Sequence, residues 1–288
     1  MLLVRNLGRL LPVIVRCRPI LLLGALVTAA VLATSACDGS PAAPTPPPVS
    51  PPQPPPPQPP PSPPPPPPPG FAISRILAFG DSITEGESTG TFLPRLPWSS
   101  HNPETPGVPT SYPAKLQGLV NALYTANEIS IFNGGKGGER ASEGLSRMLD
   151  LIDQLQPEVM ILMTGVNDLN GGESVAETGE HLETLVKEAM ARGVPVFLST
   201  LSRQIEGRKR ADAPEEIEPY NELVAAIALD EGATLVDIYP HITEALLTPD
   251  GLHITEMGNE VLAGVYLEAL KVVYELPPAV SLPLRRAR

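Results

Sequence analysis

The chain has 288 residues, 38 of them Pro, with 4% aromatics and two Cys. The Pro is concentrated, with 21 in positions 41–69, and residues 71–288 carry 16 basic against 31 acidic side chains. Such an acidic surface excludes nucleic-acid binding driven by bulk charge. No Cys follows Cys37, which excludes a disulfide framework for the remainder.

Arg5, Arg9, Arg16 and Arg18 precede an uncharged apolar run from Pro19 to Ala33, followed by the small residues Thr34-Ser35-Ala36. A basic flank, a short apolar stretch and small residues are the marks of an export signal, here residues 1–36. The competing reading is an uncleaved membrane helix, but Ile20 to Ala36 is barely long enough to span. Cys37 follows Ser35 and Ala36 and resembles the acylated Cys of bacterial lipoproteins, with Thr34 where that pattern usually has Leu. The resemblance implies a cell-envelope protein anchored to the membrane by lipidation at Cys37. The alternative is ordinary cleavage that leaves a free thiol, a liability in an oxidising compartment.

Residues 41–69 cannot form a helix or a core, because Pro lacks the amide donor and fixes its own φ. A polyproline II spacer of roughly 90 Å is expected. With no basic residue beside the tract, a stalk is favoured over an SH3-type ligand. The expected organisation is a signal at 1–36, a lipidated Cys and Pro-rich linker at 37–70, a globular domain at 71–276 and a tail at 277–288.

From Phe71 onward, apolar strand-like runs alternate with stretches of helical period. Strands are predicted at Arg75–Phe79, Ile129–Asn133, Val159–Thr164, Val194–Leu201 and Thr234–Tyr239. Helices are predicted near Pro113–Tyr124, Ser142–Leu155, Glu177–Arg192, Glu215–Asp230 and Gly258–Tyr274. Several strands are almost continuously apolar, as burial on both faces requires. The alternation predicts an α/β domain, a parallel sheet between helix layers with ligands at the strand carboxyl ends.

Three of those ends carry polar clusters: Gly80-Asp81-Ser82-Ile83-Thr84-Glu85-Gly86, Asn133-Gly134-Gly135-Lys136-Gly137-Gly138-Glu139, and Thr164-Gly165-Val166-Asn167-Asp168. Asp250-Gly251-Leu252-His253 comes much later. A nucleophilic Ser needs a base, a group to hold that base, and donors for a developing oxyanion. Asp250 and His253 are spaced so that one turn can set the carboxylate on Nδ1 and leave Nε2 for a serine. Gly138 can bring its amide close to a substrate, and Asn167 offers an amide donor at the next strand end.

These four clusters together resemble the blocks of the SGNH, or GDSL-type, hydrolase family, and they span essentially residues 74–275. The resemblance implies a flavodoxin-like three-layer α/β/α sandwich and acyl transfer. It assigns Ser82 as nucleophile, His253 as base and Asp250 as its orienter, with an oxyanion hole from Ser82, Gly138 and Asn167. Gly137 and Glu139 depart from it, standing where Ser and Asp are common. The competing reading of Ser82 is a helix cap. Asp81, Asp168 and Asp237 are expected to tie loops, and His101, His181 and His241 to be solvated or capping residues.

Other chemistries fit less well. Ser82 lacks the second Gly of the G-x-S-x-G elbow, Lys136 is not followed by Ser or Thr as a phosphate loop requires, and no metal or cofactor is expected. Residues 87–111 form an irregular stretch in which Phe92, Leu93, Leu96 and Trp98 either line the substrate cleft or pack on themselves. The basic segment from Arg203 to Lys209-Arg210 either faces an anionic substrate or is solvated.

The expected function is hydrolysis of small-molecule, short-chain or lysophospholipid-type esters. Carbohydrate O-deacetylation is an alternative, and a non-catalytic module binding envelope glycans is the rival from another class. The expected partners are an ester substrate and, through Cys37, the membrane; nucleic acid is not among them.

Overall fold

A computed structural model describes residues 68–87 and 108–278. The signal, Cys37, most of the Pro-rich tract, the end of the tail, His101 and the loop residues Phe92, Leu93, Leu96 and Trp98 lie outside the described residues.

In chain order the elements are β1 (Gly70–Phe71), β2 (Arg75–Gly80), α1 (Ser82–Glu85), α2 (Tyr112–Leu123), β3 (Ser130–Gly135), α3 (Leu145–Leu155) and β4 (Val159–Met163). They continue with α4 (Val166–Asn170), α5 (Val175–Ala191), β5 (Val196–Ser199), α6 (Ile217–Glu231), β6 (Thr234–Val236), α7 (Glu256–Tyr274) and β7 (Glu275–Leu276). Five strands form one parallel sheet in the order β3-β2-β4-β5-β6. Counted within that sheet alone, this is the 2-1-3-4-5 order of flavodoxin-like folds.

The connections run one way from β2 to β3 and the other way from β3 to β6, so right-handed crossovers put their helices on opposite faces. Accordingly α2 packs with α7, whereas α3, α5 and α6 pack in series. Every residue of β4 is buried, as are Ile76 to Phe79 of β2, because helices cover both faces. Helix α2 buries Tyr112, Leu116 and Val120, one helical stripe. Its N-cap is Ser111, with Pro in the first turn. A Ser174–Glu177 capping box starts α5.

Two predicted strands stop two or three residues early, and side chains explain both. Beyond β5, the Leu201 amide donates to Asn221 Oδ1 and its carbonyl accepts from Asn221 Nδ2, which replaces strand pairing. Beyond β6, Asp237 Oδ1 accepts from Thr200 Oγ1 and the Tyr239 amide, which turns the chain away. The helices α1 and α4, of four and five residues, are too short for a period to reveal. The pairing of β1 with β7 is antiparallel and lies outside the main sheet.

The register sets the site. Gly80 of β2 is level with Gly135 of β3 and Met163 of β4. The three polar clusters therefore leave the sheet side by side, on the rim at the β2/β4 switch point.

Candidate active site

Asp81 leaves β2 and caps α1, its Oδ1 accepting from the Ile83 amide at 2.9 Å. The cap is thus Asp81, and Ser82 is the first residue of the helix, with its side chain directed elsewhere. Helix α1 lies hard against β3. A Cβ on Gly135 would stand 2.0 Å from the Glu85 amide, so only glycine admits the helix there.

Asp250 and His253 belong to a turn closed by the Thr248 amide donating to the His253 carbonyl at 2.7 Å. Asp250 Oδ1 accepts from Thr248 Oγ1 and from the Leu252 and His253 amides. Its Oδ2 lies 2.7 Å from His253 Nδ1, and His253 Nε2 lies 2.8 Å from Ser82 Oγ. A carboxylate on Nδ1 selects the tautomer protonated there, leaving Nε2 as the acceptor. Burial works against the Asp250 charge, but the hydrogen bonds from Thr248, the His253 ring and the two amides prevail and hold its carboxyl well below the usual range.

Gly138 has φ of 77° and is exposed. Among the described residues no hydrogen bond uses its amide or that of Ser82. Asn167, in the first turn of α4, donates one Nδ2 hydrogen to the Glu139 carbonyl at 2.9 Å, and the second hydrogen remains available. Asp168 accepts from the Ala141 and Ser142 amides, tying α4 to the loop that carries Gly138. The loop itself stands on a buried ion pair: Glu139 takes a bidentate contact from Arg147. Arg147 also donates to the Gly134 and Gly80 carbonyls and lies over the Phe79 ring.

Asp81 Oδ2 is buried without a hydrogen-bond partner among the described residues. Burial, with smaller contributions from the Asp168 and Glu139 carboxylates, outweighs the Ile83 amide and pushes its carboxyl up to about 7.

Residues flagged elsewhere in the sequence sort as follows. Lys136 is bonded to Glu139, His181 is on the surface beside Glu173, and His241 is exposed. In the basic segment, Arg203 stacks on Tyr239 and donates to the Ile242 carbonyl. Arg210 instead reaches the site, with Nη2 3.3 Å from Glu87 Oε1, while Glu87 Oε2 is 3.6 Å from His253 Nε2. Sequence reasoning missed Glu87; its position five residues after Ser82 was the available signal.

The model of the GDSL-like Lipase/Acylhydrolase family matches residues 78–261. The chain belongs to this family. Among solved structures of the same fold is a lipase/acylhydrolase from Enterococcus faecalis, 22% identical with a TM-score of 0.58, covering 72% of this chain and 100% of that one. The acetylxylan esterase Axe2 from Geobacillus stearothermophilus is 25% identical with a TM-score of 0.55, covering 70% and 95%. Two curated relatives are esterases. Esterase TesA of Pseudomonas aeruginosa is 25% identical over 129 residues, 44% of this chain. A multidomain esterase of Ruminococcus flavefaciens is 27% identical over 127 residues, 42% of this chain. The matches span 62% and 16% of those relatives' own lengths. The family's matched region begins within β2 and ends within α7, and so contains all four motif clusters. No helix among the described residues is long and apolar enough to cross a membrane.

Proposed function

We propose that the protein is a serine esterase that hydrolyses carboxylic esters through an acyl-Ser82 intermediate. The observation that carries this is the hydrogen-bonded chain from Ser82 Oγ through both nitrogens of His253 to Asp250. Ser82 Oγ attacks the ester carbonyl carbon and its proton passes to Nε2. The oxyanion accepts from the Ser82 and Gly138 amides and from the second Nδ2 hydrogen of Asn167. Collapse expels the alcohol, which takes the proton from Nε2. Water then attacks the acyl-enzyme, giving a proton to Nε2, and Ser82 leaves with that proton as the acid is released. Asp250 stays ionised and holds the ring throughout.

A second substrate reading, O-deacetylation of carbohydrate, is favoured by the likeness to an acetylxylan esterase. The loop with Phe92, Leu96 and Trp98 is proposed to line the cleft, since it follows the nucleophile closely in the chain. A serine-directed phosphonate separates enzyme from glycan-binding module: labelling at Ser82 is expected, and an unlabelled Ser82 overturns the esterase. Turnover of acyl esters of graded chain length against acetylated xylo-oligosaccharides, in wild type and Trp98→Ala, then decides the substrate. We further propose export and lipidation at Cys37, with the Pro-rich tract as a stalk. A mature chain with a free Cys37 thiol would overturn the anchor.

A further inference from the structure

We propose that Glu87, held by Arg210, is a positioning residue for His253, a second carboxylate that stabilises the imidazolium formed in turnover. This rests on Ser82 as nucleophile and His253 as base.

The His253 side chain is fully buried, and its two nitrogens face two different carboxylates. Asp250 takes Nδ1. On the other edge, Nε2 faces Ser82 Oγ at 2.8 Å and Glu87 Oε2 at 3.6 Å. The longer distance is beyond a hydrogen bond, so Glu87 does not displace Ser82 from the neutral ring. It acts as a charge on the side where the serine proton arrives.

Both partners are fixed by backbone contacts to the site itself. The Glu87 amide donates to the Ser82 carbonyl at 2.9 Å, alongside that of Gly86. The Arg210 amide donates to the Asp250 carbonyl at 3.0 Å, and the Arg210 carbonyl accepts from Asn170 Nδ2. A contact between Arg210 and Glu87 thus joins the nucleophile's helix to the turn that carries the base. Glu87 takes no proton in the cycle. The proton from Ser82 stays on Nε2 until the leaving alcohol receives it.

Other charges near the ring are held elsewhere. The Asp81 carboxylate is turned to the Ile83 amide, the stem of Arg208 lies against Gly251, and Glu256 at the start of α7 is bonded to Lys115. Asp81 titrates in the neutral range, but it is common to every variant compared below.

A carboxylate within about 4–6 Å favours a charged imidazole, while Arg210 counteracts it. The two substitutions therefore have opposite signs. In Glu87→Gln the acid limb of the kcat/KM profile on a short-chain ester is expected to move to lower pH by about half to one unit. Its plateau kcat falls about 3–10-fold with KM little changed, since the loss lies in the transition state. In Arg210→Gln the limb moves to higher pH by a smaller amount, because Glu87 is no longer offset. Glu87→Asp keeps the charge and recovers part of the Glu87→Gln shift.

Glu87 and Arg210 are 30% and 42% exposed, so neither change opens the core. Titration of the His253 ring by NMR in a Ser82→Ala background, with and without Glu87→Gln, reads the same electrostatics without turnover. Near-normal turnover in Ser82→Ala would overturn the nucleophile, whereas coincident ring titrations would overturn the role of Glu87. Coincident acid limbs, or shifts of both variants in one direction, would also overturn it. Should Glu87→Gln fail to fold, the Arg210→Gln limb decides alone.

Discussion

Ser82 Oγ and His253 Nε2 are 2.8 Å apart although 171 positions separate them in the chain. Each is fixed by contacts of its own: Ser82 by the Asp81-capped helix on the rim of β2, His253 by the turn that Asp250 ties together with three hydrogen bonds. The tertiary fold only has to bring two rigid pieces together, so the pair is already formed before substrate arrives.

Members of such a pair act as a unit. Ser82→Ala or His253→Ala is expected to lower ester turnover by roughly 10⁴-fold or more, and the double variant to cost little beyond either single one. Turnover by wild type should also fall on the acid side, because a protonated ring cannot accept the serine proton. Chelators should leave it unchanged. Near-normal turnover in Ser82→Ala, or activity that chelation removes and a metal restores, would sink this mechanism.

Asn167 ties the Glu139 carbonyl and is proposed to donate to the oxyanion, and the two roles are separable. Asn167→Ala is expected to reduce kcat by about 10²–10³, the usual loss for one oxyanion donor, with KM nearly unchanged. A lost loop tie alone would lower the melting temperature and raise KM. Steady-state kinetics beside a thermal melt distinguishes the two results.

Most of this arrangement was legible because strand ends in a parallel sheet converge, and each motif followed an apolar run long enough to identify. Asp250 and His253 were legible from their spacing together with the family resemblance. What escaped was set by tertiary contact. The reach of Arg210 to Glu87 spans 123 positions and leaves no periodic trace. Arg147 reads as one polar residue of an amphipathic helix, yet it is buried on Glu139. That contact explains why Glu139 can stand where the family commonly has Asp: a partner on α3 meets the longer carboxylate.

Asp81 makes stability depend on pH. Its carboxyl is pushed up to about 7 in the folded chain, against about 3.9 when unfolded, so the folded state binds the extra proton between those values. The contribution is fully present below about 4 and lost as pH rises through 7, amounting to about 4 kcal/mol. Asp168 is also raised, chiefly by burial, and adds to the same trend. Asp81→Asn keeps a capping side chain but removes the titration. Its melting temperature should therefore change less between pH 5 and pH 8 than that of wild type, by about 5–10 °C. An unchanged difference would mean that Asp81 is ionised in the folded protein at both pH values.

The Glu139–Arg147 pair supports the loop that carries Gly138, the proposed oxyanion donor, from beneath. Both side chains are nearly buried, at 3% and 9% exposure, so removing one partner strands the other's charge. Arg147→Met is expected to destabilise the domain by about 3 kcal/mol, the lower end of the range for a broken buried pair, because Lys136 still reaches Glu139 at 3.0 Å. Removing both charges, as in Glu139→Leu with Arg147→Met, should recover much of that loss, since an apolar pair of similar volume has no charge to desolvate. Activity should not recover in parallel. The Gly134 and Gly80 carbonyls still lack the guanidinium, and the loop that presents Gly138 and holds Asn167 loses its footing. Chemical denaturation and kcat measured on the two variants and the wild type test this directly. A double variant restored in both stability and kcat would show that the ion pair contributes charge balance alone and does not position the oxyanion donors.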